Sequence, residues 1–175
     1  MSKPKSTLLS VTHSIVWACI VADAFLAIGM IAGAGIVLFS WPLFVEAFGK
    51  HHGAFADSAS RLQLIGVFLI GTAIAVAASM ALNRLRLIII TVRYGDPFVP
   101  VNVQRLRAIG WIMLLIQVAG IPFLGLSHAT LSPHPQQHLL NVHSLNGLIA
   151  ILLVFILAGI FEQASAMRTD LEGTV

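Results

Sequence analysis

The sequence predicts an all-α integral membrane protein: a bundle of four transmembrane helices with both chain ends in the cytoplasm (N-in/C-in). Composition is the first observation, because 58% of the 175 residues are apolar, 10% are charged and the mean hydropathy is +0.93. A soluble domain of this size cannot bury so much apolar surface. The other observations are four long apolar blocks and an uneven distribution of Lys and Arg between the segments that connect them.

The four apolar blocks cover residues of about 15–39, 62–82, 108–126 and 142–164. Each is close to the roughly 20 residues that cross about 30 Å of hydrocarbon as an α-helix. The first block is too long for the apolar region of a secretory signal, which has about 7 to 15 residues, so we expect a retained helix. Inserting its acidic residue, Asp23, costs about 3 kcal/mol. The block's 12 Ile, Val, Leu and Phe residues outweigh that cost at about 0.3 to 0.6 kcal/mol each.

Positive charge predicts the orientation of these helices, because Lys and Arg concentrate in cytoplasmic segments. Eight of the ten lie before the first block, between the second and third, or after the fourth: Lys3, Lys5, Arg84, Arg86, Arg93, Arg105, Arg107 and Arg168. The other two, Lys50 and Arg61, lie between the first and second blocks. We therefore expect a cytoplasmic hinge at 83–107 and outer loops at 40–61 and 127–141.

The hinge is expected to be helical at both ends. The sequence NRLRLIIITVRYG, residues 83–95, stays apolar between its arginines and extends the second helix. Gly95 fits the end of that helix, Asp96-Pro97 fits a turn, and Pro100 fits the first turn of a new helix, where its missing N–H costs nothing. Asp96 could also accept a hydrogen bond or pair with a hinge arginine. The simplest interpretation is a connector whose arginines lie near anionic lipid headgroups, at about 1 kcal/mol each.

The hinge GDPFVPVNVQRLRAIGW, together with the tail MRTDLEGTV, resembles the bacterial membrane family catalogued as domain of unknown function 2975. The family's loop pattern, G-x-P-F-x-P-x-N-x-x-R-L-R-x-I-G, is matched here by Gly95, Pro97, Phe98, Pro100, Asn102, Arg105, Leu106, Arg107, Ile109 and Gly110. The chain departs from the pattern at Val99 and Val101, where the resemblance implies a Thr cap and a Glu. This departure puts a self-contained capping box in doubt.

The resemblance implies a four-helix protein of a bacterial inner membrane, from a family with no established activity. Its members are often encoded beside small helix-turn-helix regulators, which implies a membrane partner for a cytoplasmic regulatory protein. The residues expected to bind that partner, or to shape the hinge, are Gly95, Asp96, Pro97, Phe98, Pro100, Asn102, Arg105 and Arg107.

The chain contains no nucleophile elbow, P-loop or dinucleotide fingerprint. We therefore predict a protein that is not an enzyme, binds no cofactor and makes no direct contact with nucleic acid. Its expected role is that of a regulatory, scaffold or complex subunit, which contacts the lipid bilayer and a cytoplasmic regulator or other membrane subunits.

Polar residues inside the apolar blocks suggest a different function. Asp23, Thr72 and Gln117 each lie about ten residues from the expected inner end of their helix, so they could share one layer of the bundle. An acidic side chain within a membrane is a candidate proton or ion site, which makes a small transporter or proton pathway the first alternative. The simpler interpretation is that Asp23 only joins helices.

Histidines on the expected outer side suggest a further function: His51, His52, His128, His134, His138 and His143. The i, i+4 spacing of His134 and His138 could place two imidazoles on one helical face. Prolines on both sides of His134 make a solvated loop the simpler interpretation. A haem or metal-binding redox subunit, with His128 and His143 as ligands, is the second alternative.

Small residues leave the oligomeric state open. Gly29 and Gly33 have the four-residue spacing that lets helix backbones approach closely in a membrane. That spacing serves a homo-oligomer and internal packing equally well.

Overall fold

The computed structural model describes residues 4–52, 58–95, 97–131 and 143–172. They form five helices: α1 (Pro4–Phe39), α2 (Trp41–His52), α3 (Ser58–Arg93), α4 (Pro100–Leu131) and α5 (His143–Glu172). No β-strand occurs in these ranges. Every helix except α2 contains a segment that is long and apolar enough to cross a membrane. The predicted all-α class with four spans is therefore confirmed, whereas the side of the membrane on which each end lies stays a prediction.

The long helices pack in chain order, α1 on α3, α3 on α4 and α4 on α5. Buried apolar side chains form one cluster around Val37, Phe44 and Leu64, where α1, α2 and α3 meet. A second cluster, around Leu106, Ile109 and Ala158 with Ile88, joins α3, α4 and α5 at the hinge. Many large apolar side chains elsewhere on the long helices are exposed, as expected for a surface that lipid would cover.

Close packing of α1 on α3 depends on small residues. A Cβ added to Gly33 would lie 2.5 Å from the Phe68 ring, and one added to Gly71 would lie 2.9 Å from the Met30 methyl group. No atom lies within 4 Å of the corresponding position at Gly29. Of the two glycines with the four-residue spacing, Gly33 therefore serves packing within the chain.

The helix α3 is longer than the apolar block that it contains. Its 36 residues extend about 54 Å, whereas the block at 62–82 accounts for about 30 Å. The helix continues through the arginines at 84, 86 and 93, and α4 already begins at Pro100. The predicted hinge at 83–107 therefore consists mostly of two helix ends joined by a short turn.

An arginine of α3 completes the broken junction between α1 and α2. In an unbroken helix the Leu38 carbonyl would accept from the N–H of residue 42, but Pro42 has none. Arg61 donates instead, from Nη2 to the Leu38 oxygen at 2.5 Å and from Nε to the Val37 oxygen at 3.1 Å. Its guanidinium also lies 5.9 Å from the centre of the Trp41 ring. One side chain thus satisfies two carbonyls that the proline break exposes.

We expect Arg61→Ala to lower the free energy of unfolding by about 1 to 3 kcal/mol, because two carbonyl oxygens lose their donor. In a Pro42→Ala background the loss should be about 1 kcal/mol smaller, since residue 42 then has an N–H for the Leu38 oxygen. Reversible unfolding of the four variants in mixed micelles measures both losses. Equal losses in the two backgrounds would show that Arg61 does not replace the missing hydrogen bond.

Candidate functional site

The turn of the hinge begins where α3 ends. The N–H of Tyr94 donates to the Ile90 oxygen at 3.1 Å, and the N–H of Gly95 donates to the Val92 oxygen at 3.2 Å. Gly95 has a φ of +90°, a left-handed conformation that glycine adopts without the strain of a Cβ. The predicted helix stop at Gly95 thus coincides with a reversal of the chain. Asp96, for which a turn and an ion pair are predicted, lies outside the described residues.

Asn102 is the polar centre of the hinge, and it is fully buried. Its Nδ2 donates to the Thr91 hydroxyl at 2.7 Å and to the Pro97 oxygen at 3.0 Å, so it joins the end of α3 to the turn. Its Oδ1 accepts from Nη1 of Arg105 at 2.9 Å. Because both ends of the amide have partners, the cost of burying it is offset.

Arg105 and Thr91 extend these bonds to the backbone of α3. Nη1 of Arg105 also donates to the Leu87 oxygen at 3.3 Å, and the Thr91 hydroxyl donates to the Ile88 oxygen at 2.7 Å. We call Thr91, Asn102, Arg105 and the Pro97 carbonyl the hinge clamp. The hinge clamp fixes the angle at which α4 leaves the turn. Asn102 and Arg105 therefore have a structural role.

The first turn of α4 has no side-chain cap on Val99, as the departure from the family pattern implies. The Val99 carbonyl accepts from the N–H of Asn102 at 2.9 Å. Pro100, the first residue of α4, has no N–H to satisfy. The ordering of this end of α4 therefore depends on the Asn102 side chain rather than on a capping box.

The helix α5 packs against the same turn. The rings of Phe98 and Phe161 lie 5.3 Å apart at an angle of 54°, and Ala158 is buried in the cluster that includes Leu106. Arg107 Nη2 lies 2.6 Å from Oε2 of Glu162. Both side chains of this pair are about half exposed, so it contributes about 0 to 1 kcal/mol. The aromatic and apolar contacts are therefore the main attachment of α5 to the hinge.

Several hinge side chains remain exposed around the clamp. Tyr94 is 86% exposed, and Arg93, Val101 and Gln104 are exposed as well. We call these four residues the hinge surface. Sequence reasoning missed Thr91 and Phe161, whose roles depend on contacts between different helices. It also missed Tyr94, which its position before the glycine stop could have indicated.

The structure separates the three polar residues that were expected to share a layer. The Ser79 hydroxyl of α3 donates to Oδ2 of Asp23 on α1. Thr72 donates to the Phe68 oxygen of its own helix at 2.7 Å, two turns from Ser79. Gln117 lies between α4 and α5, where its amide occupies the space that a Cβ on Gly147 would need. Asp23 thus shares its contact with Ser79 rather than with Thr72 or Gln117.

Of the predicted histidine ligands, the structure describes the side chain of His128. His128 is exposed in the last turn of α4. His51, His52 and His143 are helical, whereas His134 and His138 lie outside the described residues. Among the described side chains, no group of three or more His, Cys, Asp or Glu could hold a metal ion. The haem and metal hypothesis therefore stays a prediction.

Comparison with known proteins gives one match. A family model described as "Protein of unknown function (DUF2975)" matches residues 39–175. The matched range contains the whole hinge and the helices α2 to α5, and it begins at the last residue of α1. Comparisons with curated proteins and with solved structures found no match.

We expect Asn102→Ala to lower the free energy of unfolding by about 2 to 4 kcal/mol, because it removes three side-chain hydrogen bonds and leaves buried partners unsatisfied. Gln104→Ala, at an exposed position on the same helix, should change it by no more than about 0.5 kcal/mol. Reversible unfolding in mixed micelles measures both. Similar small effects from the two substitutions would contradict a structural clamp.

Proposed function

This chain belongs to the DUF2975 family of proteins of unknown function, and we propose that it is a non-catalytic regulatory or scaffold subunit of the bacterial inner membrane. Its four apolar helices are suited to anchor it in the bilayer. In this proposal the hinge faces the cytoplasm, as the distribution of Lys and Arg predicts. The hinge binds a cytoplasmic regulatory protein.

The observation that carries this proposal is the combination of the hinge clamp with the hinge surface. The buried amide of Asn102 orders a turn that would otherwise be a flexible loop. Tyr94 projects from this ordered turn with 86% of its surface exposed. A tyrosine on a rigid support contributes a large contact area at little entropic cost, which is typical of binding surfaces. The family match also includes the hinge in full.

Charge indicates what kind of partner fits. Residues 83–107 contain five arginines and one acidic residue. Arg105 is used in the hinge clamp and Arg107 pairs with Glu162, whereas Arg93 is exposed at the end of α3. A partner with an acidic surface is therefore complementary to the hinge surface.

We expect a photocrosslinking amino acid at position 94 to capture one acidic soluble protein when the full chain in nanodiscs is mixed with the cytosol of its own cells. The same amino acid at Leu43, an exposed residue of α2 at the opposite end of the molecule, should not capture it. Mass spectrometry of the adducts identifies the product. Identical adducts from the two positions would exclude specific binding at the hinge.

The same assay tests the contribution of charge. Arg93→Gln and Gln163→Glu change the net charge by the same amount, and both positions are exposed. Loss of one rim contact should weaken capture about three- to fivefold for Arg93→Gln and leave Gln163→Glu close to the unmodified chain. Equal losses would indicate attraction by net charge alone.

A proton pathway is the second candidate function, and the contact between Asp23 and Ser79 favours it. This contact places a carboxylate and a hydroxyl together between two membrane-spanning helices. Asp23 lies outside residues 39–175, which the family model matches. The match therefore gives no reason to expect a proton pathway in other members of the family.

If Asp23 carries protons, Asp23→Asn should reduce proton flux into liposomes at least tenfold, because an amide does not bind and release a proton as a carboxylate does. Cys19→Ser, an exposed position one turn earlier on α1, should leave the flux unchanged. A pH-sensitive dye inside the liposomes measures the flux. A rate equal to that of protein-free liposomes, or one that Asp23→Asn does not change, would remove this candidate.

A further inference from the structure

A cleft with a volume of about 360 Å³ opens between α1 and α3, beside the hinge end of the molecule. Its α3 wall carries Ser79, Asn83 and Arg86, and its α1 wall carries Trp17. The i, i+4 and i+7 spacing of the three polar residues places them in one line on the same face of α3. The cleft thus combines a positive charge and hydrogen-bonding groups with apolar walls.

Arg86 is held in this cleft, and one of its N–H donors lacks an acceptor. Its guanidinium carbon lies 4.6 Å from the centre of the Trp17 ring, a cation–π contact that fixes the position of the side chain. Its Nε is buried and, within the part of the chain that the structure describes, has no hydrogen-bond partner. A buried N–H without an acceptor is costly, and an anion that accepts from the guanidinium would offset that cost.

The depth of the cleft indicates the source of such an anion. Arg86 lies four residues beyond the apolar block that ends at Leu82, which is about 6 Å past its edge. That distance corresponds to the phosphate level of a bilayer rather than to its hydrocarbon. Val76 and Met80 line the cleft toward the apolar block, and both are exposed. An acyl chain can therefore lie along the same helix face as a headgroup bound at Arg86.

We propose that this cleft binds the phosphate group of an anionic phospholipid. Arg86 donates hydrogen bonds to the phosphate oxygens from the N–H groups of its planar guanidinium, and Asn83 donates from its amide. One acyl chain lies against Val76 and Met80. Lipid binding at this cleft does not require a partner at the hinge surface. The proposal also gives a function to the part of α1 that the family model does not match, which contains Trp17.

Native mass spectrometry of the full-length chain tests the proposal, after incubation with equal amounts of phosphatidylglycerol and phosphatidylcholine. The unmodified chain should retain phosphatidylglycerol at least fivefold over phosphatidylcholine, whose choline cation balances the phosphate charge, because one arginine near a headgroup of net negative charge contributes about that factor. Arg86→Gln should reduce the retention about fivefold. The matched control is Arg84→Gln, on the same helix but outside the cleft lining, and it should reduce the retention much less than Arg86→Gln does.

Three results would overturn the proposal. Equal losses for Arg86→Gln and Arg84→Gln would indicate diffuse attraction, and equal retention of the two lipids would exclude recognition of the anion. Displacement of phosphatidylglycerol by millimolar inorganic phosphate would show that the cleft holds a free anion only. The lipid competition uses the unmodified chain, so it decides the question even where a variant does not fold.

Trp17→Phe, which keeps an apolar ring with a weaker cation–π contact, should give an intermediate loss.

Discussion

The buried amide of Asn102 is the interaction on which the hinge end of this protein depends. The hinge lies beyond the apolar blocks of the two helices that it joins, and a polar side chain buried there must have its donors and acceptors satisfied. Asn102 forms hydrogen bonds to α3, to the turn and to Arg105 at one buried point. The apolar cluster around Leu106 and Ala158 then joins α5 to a turn that is already ordered.

The fold could be predicted from the sequence wherever a property is local. Block length predicts the four spans, and the glycine at 95 with the proline at 100 predicts the turn, because backbone conformation at these residues is decided by their own chemistry. The bonds of the site could not be predicted in this way. Ser79 and Asp23 are 56 positions apart, and only the packing of α1 on α3 brings them together. Arg61, on α3, likewise finds carbonyl acceptors on α1 because Pro42, on α2, interrupts the helix there.

The arginines show why counting charges describes this chain incompletely. As a group they predict orientation, yet four of them have quite different surroundings. Arg61 donates to carbonyls at a helix break and Arg105 donates within the hinge clamp, whereas Arg107 forms an exposed ion pair. Arg86 lies over an indole ring beside an open cleft. Each of these four positive charges therefore also forms a particular hydrogen bond, ion pair or aromatic contact.

The continuity of α3 has a mechanical consequence. Arg61 near its beginning and Thr91 near its end are 30 positions apart on one helix, which corresponds to about 45 Å. A helix is stiff along its axis, so a shift of 1 to 2 Å imposed at the turn is transmitted to the junction between α1 and α2. Hydrogen bonds at both ends of α3, from Arg61 to the junction and from Asn102 to Thr91, would therefore couple a displacement of the turn to that junction.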